Sequence, residues 1–328
     1  MNKLLGYVVY SSIAFIATCF GANADPTYVT FSVGTEGTFA ASINNRGEIC
    51  GDYANTMFEP HGFVRSSEGQ ITKFDAKAGD LTIPQAINNK GEIVGQGEFS
   101  NPGQAYGFIR SSDGTITTFS APGADGTYPV GINDRGWIAG SYQNQEGGFG
   151  NAFLRSPKGS FLEKRQTRTY VSASALNNSE VTTGGIQKGI GHYAAYIHDK
   201  HGPLTKFSVG RQPGATSIND AGTVAGFAYN PNTNISLSFV RTADGTIKRF
   251  SVPNAVSTIA YKINNKGAVV GTYRLGGNDM HGFIREPDGT LTLFDVAGFG
   301  GASPSSINDK GVVVGLIPNT KLAFIRYP

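Results

Sequence analysis

Three of the five histidines are the side chains best suited to acid–base or metal chemistry. His61, His192 and His281 lie far apart, and no two of them have the i, i+2 or i, i+4 spacing of a compact metal site. A metal centre would require three distant segments to converge. The sequence therefore predicts no metal ion and no other cofactor, and it leaves the histidines as candidate bases or ligand contacts.

Lys262 is the charged residue that most clearly departs from its surroundings. It occupies a position at which the other copies of a repeated segment have small residues: Ser42, Ala86, Gly131, Ala175, Ser217 and Ser306. A departure from a repeat rule can mark a functional site. Pairing with an unseen acidic partner would explain it equally well, and the sequence leaves both interpretations open.

Arginine shows the opposite behaviour, because it recurs at one position in six of seven repeats: Arg65, Arg110, Arg155, Arg241, Arg285 and Arg326. A ligand site would not be needed six times, so these residues indicate a structural hydrogen bond or a packed aliphatic stem. No Gly-x-Ser-x-Gly nucleophile elbow is present. Calcium binding at the repeated Asn/Asp turns would need more oxygen ligands than one turn offers.

A repeat of about 44 residues organises the whole chain. An apolar residue followed by asparagine recurs at intervals of 44, 45, 44, 42, 45 and 44 residues, at Ile43-Asn44, Ile87-Asn88, Ile132-Asn133, Leu176-Asn177, Ile218-Asn219, Ile263-Asn264 and Ile307-Asn308. A fixed period in this range indicates one supersecondary unit copied along the chain. We number the units repeats one to seven.

Each repeat is predicted to contain four antiparallel strands. In repeat two the strands are residues 83–88, 92–95, 106–110 and 115–119, separated by an Asn-Lys-Gly turn, a longer loop and an Asp-Gly hairpin. Four strands per repeat is the arithmetic of a β-propeller. Repeat seven lacks a fourth strand, and residues 28–33 resemble one. The expected fold is therefore an all-β, seven-bladed β-propeller, closed when the N-terminal strand (28–33) completes the last blade.

The N-terminal 24 residues have the pattern of a signal peptide. A short positive start at Lys3 precedes an apolar run and the small-residue site Ala22-Asn23-Ala24. We expect residues 1–24 to be removed, leaving one domain over 25–328 that is exported to the periplasm or the exterior of a bacterium. A retained membrane anchor and a lipoprotein modified at Cys19 are the alternatives. Cys50 is then the only cysteine, in a column of small apolar residues, so we expect a buried hydrophobe.

The repeat resembles the bacterial extracellular HAF-repeat family. The resemblance covers about residues 28–328 and rests on the His/Tyr-Gly-Phe-Ile/Val-Arg strand, the Ile-Asn-Asn/Asp-x-Gly turn and the Asp-Gly-Thr hairpin, with His61-Gly62-Phe63 and His281-Gly282-Phe283 closest to the family's motif. Asn151-Ala152-Phe153 and Leu322-Ala323-Phe324 depart at the first position. The resemblance implies a secreted protein and supplies no catalytic residues.

The long loops of such a fold emerge on one face, and loops on a rigid scaffold carry function. We therefore expect a non-catalytic protein that binds a carbohydrate, peptide or protein partner there, through Lys262, His61, His281, Tyr53 and Tyr273. The alternatives are a polysaccharide lyase or hydrolase at the channel mouth, and a structural component. A formal net charge of +3 without a Lys/Arg cluster argues against nucleic acid and anionic membranes. We expect no membrane insertion after signal removal, and a monomer.

Repeat four is the irregular copy. Lys164 replaces the aromatic residue expected at the end of the preceding fourth strand, His198 stands in the arginine column, and Glu180 stands where most repeats have glycine. Such departures can mark function or can reflect repeat decay. For His198 and His201 the sequence favours a structural role.

Overall fold

A computed structural model describes residues 25–56, 59–98, 104–143, 150–164, 170–187, 189 and 192–328. The predicted signal peptide lies outside these residues. All regular secondary structure in the described part is β, in strands β1 (Thr27–Phe31), β2 (Gly37–Ile43), β3 (Ile49–Ala54), β4 (Pro60–Arg65), β5 (Ile71–Phe74), β6 (Leu81–Ile87), β7 (Ile93–Glu98), β8 (Ala105–Arg110), β9 (Ile116–Phe119), β10 (Gly126–Ile132), β11 (Ile138–Gln143), β12 (Asn151–Arg155), β13 (Phe161–Lys164), β14 (Tyr170–Leu176), β15 (Val181–Gln187), β16 (Tyr193–Asp199), β17 (Leu204–Phe207), β18 (Pro213–Ile218), β19 (Val224–Asn230), β20 (Ile235–Arg241), β21 (Ile247–Phe250), β22 (Ser257–Ile263), β23 (Val269–Arg274), β24 (His281–Arg285), β25 (Leu291–Phe294), β26 (Ser303–Ile307), β27 (Val313–Leu316) and β28 (Ala323–Tyr327).

The strands form antiparallel sheets of four or eight strands. Three sheets have four strands, in the orders β1-β28-β27-β26, β14-β15-β16-β17 and β2-β3-β4-β5. Each of the two larger sheets consists of two four-stranded units joined by one parallel residue pair, Gly126 with Ala105 and Ser236 with Ser257. The strands predicted for repeat two are confirmed with shifts of one or two residues at most ends. No helix that is long and apolar enough to span a membrane occurs in the described segments.

The N-terminal strand pairs with the last strand, as the sequence predicted. Thr27 lies opposite Tyr327 and Phe31 opposite Ala323, so β1 occupies the outer edge of the sheet formed by β26, β27 and β28. The first and last segments of the described chain are therefore held together by backbone hydrogen bonds, and β28 has no free edge.

The repeated asparagine organises its own turn. In repeat one, Asn44 Oδ1 accepts hydrogen bonds from the backbone N–H groups of Arg46 and Glu48, both at 3.0 Å. Gly47, with φ of +88°, closes the turn in a conformation that favours glycine. The side-chain oxygen of asparagine thus accepts hydrogen bonds from backbone N–H groups that would otherwise have no partner in the turn.

The same asparagines also link one repeat to the next. Each Nδ2 donates to the backbone carbonyl of the equivalent asparagine in the following repeat at 2.9–3.1 Å, from Asn44 through Asn88, Asn133, Asn177, Asn219, Asn264 and Asn308. The last bond of this series runs from Asn308 back to the carbonyl of Asn44 at 3.0 Å. The seven bonds therefore form a closed circuit around a central axis.

The hydrophobic core lies between neighbouring sheets. One cluster joins Val314 and Ile325 of repeat seven to Ile43, Ile49 and Phe63 of repeat one. Equivalent clusters occur at the other interfaces, and Cys50 packs in one of them with no solvent exposure. Burial raises the pKa of the Cys50 thiol far above its ordinary value, so the expectation of a buried, unreactive small residue is confirmed.

Candidate functional site

A tyrosine, a histidine and an aspartate form a compact cluster at the long-loop end of repeat one. Tyr53 at the end of β3 lies opposite His61 of β4, and their rings are 5.4 Å apart. His61 Nδ1 lies 2.7 Å from Asp75 Oδ1, just beyond β5. The carboxylate orients the imidazole, which leaves the second ring nitrogen for a ligand or a proton.

Repeat six contains the same cluster. The rings of Tyr273 and His281 are stacked with centroids 5.1 Å apart, and His281 Nδ1 lies 2.9 Å from Asp295 Oδ1. Among the residues that follow the fourth strand, Asp occurs only in these two repeats; the other repeats have Ser or Arg there. The histidine and the aspartate therefore occur in the same two repeats, and this shared occurrence is the sequence signal that identifies them as partners.

In the two clusters the tyrosines differ from the histidines in exposure. Tyr53 is 7% exposed and Tyr273 8%, whereas the side chains of His61 and His281 are 33% and 21% exposed. The tyrosines thus support the imidazoles, and the histidines and aspartates present their polar atoms to solvent. The structure brings each predicted tyrosine to its predicted histidine but keeps the two pairs in separate repeats.

The cluster in repeat one extends to repeat two. Lys73 Nζ lies 4.5 Å from the Tyr53 ring centroid, and Lys77 Nζ lies 4.3 Å from that of Tyr106. Tyr106 donates a hydrogen bond of 2.9 Å to Asp80 Oδ2. Beside Lys77 and Tyr106 is an open cavity of about 360 Å³ that also includes Gln104 and Asp125. Sequence reasoning did not single out Lys73, Lys77, Asp80, Gln104 or Asp125.

Repeat six lacks this extension. At the position of Lys73, opposite the third-strand phenylalanine, repeat six has Leu293, which is 44% exposed. The long-loop face of repeats one and two is thus more polar than that of repeat six. We use the name repeat-one cluster for Tyr53, His61, Lys73, Asp75, Lys77, Asp80 and Tyr106.

Lys262 lies elsewhere, at the tight-turn end of the central channel. It shares a cavity of about 150 Å³ with the asparagine circuit and with Asp134, Asp220 and Asp309. Burial lowers the pKa of its ammonium group, and among the described residues none forms a hydrogen bond or ion pair with that group. None of Tyr53, His61, Tyr273 and His281 lines this cavity. Lys262 therefore does not form one pocket with the four residues of the long-loop face.

The repeated arginine has a structural role, as the sequence favoured. Each guanidinium lies over the terminal phenylalanine of the preceding repeat's fourth strand at 4.6–5.3 Å, in the pairs Arg65–Phe31, Arg110–Phe74, Arg155–Phe119, Arg241–Phe207, Arg285–Phe250 and Arg326–Phe294. We call these the arginine–phenylalanine pairs. The partner ring belongs to another repeat, so the sequence alone could not identify it.

The remaining histidines do not join a common site. His192 is exposed just before β16, His201 is exposed in a turn, and His198 is buried in β16. Within the described ranges no three His, Cys, Asp or Glu side chains are grouped so that they could hold a metal ion.

Asp52 is a half-buried carboxyl in β3 that sequence reasoning missed. Burial raises its pKa from 3.8 to about 7. The folded state therefore keeps a proton that the unfolded state releases near pH 4. The free energy of unfolding falls as the pH rises from about 4 to about 7.

We expect Asp52→Asn to stabilise the protein by roughly 2 kcal/mol at pH 8, after allowance for partial exposure, and to have little effect below pH 4. Urea unfolding at both pH values measures this difference. A gain of equal size at the two pH values would contradict the assignment to the Asp52 carboxyl.

Comparisons with known proteins show the fold. The sequence matches no protein-family model. It also matches no curated protein. Among solved structures, a catalytically inactive variant of virginiamycin B lyase from Staphylococcus aureus with quinupristin is 12% identical, has a TM-score of 0.60, and aligns over 93% of this chain and 100% of that chain.

Two further structures agree with it. A streptogramin B lyase is 13% identical with a TM-score of 0.62, covering 92% of this chain and 97% of that one. The β-propeller domain of the trilobed protease from Pyrococcus furiosus is 11% identical with a TM-score of 0.60, covering 85% and 91%. At such low identity these likenesses show that the chain is a β-propeller and do not show an activity.

Proposed function

We propose that this chain is an exported, seven-bladed β-propeller that binds a carbohydrate, peptide or protein partner on its long-loop face, without catalysing a reaction. The observation that carries the binding proposal is the repeat-one cluster. It places exposed imidazole, ammonium and carboxylate groups around buried tyrosine rings. Polar groups fixed on a rigid sheet are preorganised for a ligand, which lowers the entropic cost of binding.

The proposed count of seven blades has two supports. The closed asparagine circuit contains seven members, and its last bond returns to repeat one. Each eight-stranded sheet divides naturally into two blades at a single parallel residue pair. With the three four-stranded sheets this gives seven units of four strands, one of them completed by β1.

The composition of the repeat-one cluster favours a polar ligand. Cations and carboxylates alternate over a short distance, and an open cavity of about 360 Å³ adjoins them. A sugar or a peptide backbone offers hydrogen-bond donors and acceptors at similar spacing. Export, a single domain over residues 25–328 and a monomeric state remain part of the proposal.

The test compares His61→Ala with the matched variant His281→Ala in repeat six. We expect wild-type protein to bind ligands on a glycan and peptide array, and His61→Ala to weaken the strongest binding about tenfold, a loss of about 1.4 kcal/mol. His281→Ala should change binding less, because its cluster has Leu293 in place of Lys73. Equal binding by wild type and His61→Ala would remove the repeat-one cluster from the proposal.

A second candidate function is an extracellular lyase or hydrolase. The histidine–aspartate contacts of 2.7 Å and 2.9 Å favour it, since a carboxylate-oriented imidazole is a common general base. Some solved structures of similar fold are named as lyases. Product formation from polysaccharide substrates by wild type, lost in His61→Ala or His281→Ala, would favour this candidate over non-catalytic binding.

Lys262 is proposed as a separate inner position. It either contacts an anionic ligand in the channel or balances the three aspartates of the tight-turn face. Lys262→Ser restores the residue used in repeats one, five and seven. Lost ligand binding at unchanged stability would support the first role, and lost stability with unchanged binding the second.

A further inference from the structure

The interface between repeats three and four is the one described interface that lacks an arginine–phenylalanine pair. In the other repeats a phenylalanine ends the fourth strand, for example Phe74 opposite Gly62. In repeat three this position, opposite Ala152, belongs to Lys164. The arginine of the following repeat is also replaced, by His198. Both members of the pair are therefore changed at the same interface.

A cavity of about 330 Å³ lies at this interface, and we call it the interface cavity. Its apolar walls come from both repeats and include Phe153, Phe161, Val171 and Leu204. Leu162 also lines it and is 46% exposed, so the cavity reaches the surface. A volume of about 300 Å³ is sufficient for a small organic ligand.

The hydroxyl group of Tyr196 is a polar feature that the other repeats lack. At this position the six other repeats have phenylalanine, and several of those rings lie 5.8–6.2 Å from the terminal phenylalanine of the preceding repeat. Tyr196 is 1% exposed, and its hydroxyl group makes no hydrogen bond of good geometry within the described part of the protein, although the Thr182 side chain lies close enough to interact with it. A buried hydroxyl that is poorly satisfied is costly, and a ligand that accepts a hydrogen bond from it would remove that cost.

The polar side of the interface cavity is basic. Lys200 and His198 line it together with the hydroxyl-bearing Thr182, and none of its described lining residues is acidic. Lys200 is held in place by Glu180, whose Oε2 accepts a hydrogen bond of 2.5 Å, and by the ring of Trp137 at 4.5 Å. Arg135 of repeat three also donates to Glu180, at 3.0 Å.

Glu180, the third departure of repeat four from the repeat pattern, is part of the same interface. Glu180 has φ of +60°, a conformation that the equivalent glycines adopt at lower cost. Its carboxylate positions Lys200 and joins the two repeats through Arg135. Positions 164, 180 and 198, which are scattered in the sequence, therefore all belong to the interface between repeats three and four.

We propose that the interface cavity is a binding site for a small aromatic acid. The ring of the ligand would occupy the space that a phenylalanine fills at the other interfaces, and its carboxylate would accept hydrogen bonds from Tyr196 and interact with the basic side. This site is distinct from the repeat-one cluster, so the proposal does not depend on the proposed function.

The probe is 3-phenylpropionate, and Trp137, the single tryptophan of the chain, is the reporter. Because Trp137 contacts Lys200 and packs in the cluster that contains Tyr196, ligand binding should change its fluorescence. We expect saturable binding to the intact protein with a Kd on the order of 0.1 mM, ordinary for a ligand of this size. No saturable change, confirmed by calorimetry, would overturn the proposal.

Two variants test the location of the site. Lys164→Phe restores the residue of the other repeats, and we expect it to fill the cavity, to weaken binding at least tenfold and to raise Tm. Lys248→Phe, at an exposed position of β21 in repeat five, adds the same side chain away from the cavity and should leave the Kd unchanged. Wild-type affinity in Lys164→Phe would place the ligand elsewhere and overturn the proposal.

Tyr196→Phe provides a test that does not depend on filling the cavity. The fold should be retained, because phenylalanine is used in every other repeat, and we expect the Kd to rise about fivefold to tenfold. The methyl ester of 3-phenylpropionate should bind at least tenfold more weakly than the acid. An unchanged Kd in Tyr196→Phe, or equal affinity for acid and ester, would contradict recognition of a carboxylate.

Discussion

Deletion of residues 25–33 is expected to lower the free energy of unfolding by about 4–6 kcal/mol, a large share of the total for a typical domain. The deletion removes all five residue pairs between β1 and β28 and leaves β28 as an exposed edge. It also removes Phe31, whose ring contacts that of Phe63 at 6.0 Å and the Arg65 guanidinium at 5.3 Å.

Urea unfolding of the truncated and full-length proteins measures the effect. Phe31→Ala is the matched control, because it removes the ring but keeps the strand pairing; it should lose less stability than the deletion. An unchanged midpoint and slope after deletion would show that the β1–β28 pairing does not stabilise the fold.

Asn308→Ala is expected to destabilise the protein by about 3–5 kcal/mol. The side chain is 4% exposed and makes three hydrogen bonds: Nδ2 donates to the Asn44 carbonyl, and Oδ1 accepts from the backbone N–H groups of Lys310 and Val312. Alanine leaves these buried groups without partners, both in the turn and between the last repeat and the first.

Thermal and urea unfolding check this prediction, with Asn232→Ala as the control. Asn232 is exposed in the loop between β19 and β20, so its replacement should change stability by less than about 0.5 kcal/mol. Similar small losses in both variants would contradict a structural role for the asparagine circuit.

The repeat-one cluster shows how far the sequence could predict the candidate site. Tyr53 and His61 were predicted from their place near the long loops, and they lie together because each ends or begins a strand of the same pair. Asp75 was missed, although an aspartate follows the fourth strand only in repeats one and six, the two repeats that have a histidine at the start of the third strand. Lys73 and Lys77 were missed because their contacts are with rings in other strands, which spacing along the chain does not indicate.

Local interactions made the fold predictable from the sequence by itself. Strand alternation, the Asn-x-x-Gly turn and the pairing of residues 28–33 with the last repeat all follow from short patterns copied at a constant period, and each copy reinforces the same structure. A pattern of this kind determines which residues point into the interfaces and where the chain reverses direction.

Only the tertiary structure decided what lies across each interface. The terminal phenylalanine of one repeat meets the arginine of the next, so the packed structure was needed to show that the interface without this pair contains a cavity lined by His198. In the same way Lys262 was separated from the histidines by the direction of β22, which carries it to the tight-turn end of the channel. These relations depend on distances between segments far apart in the chain, and the repeat period does not encode such distances.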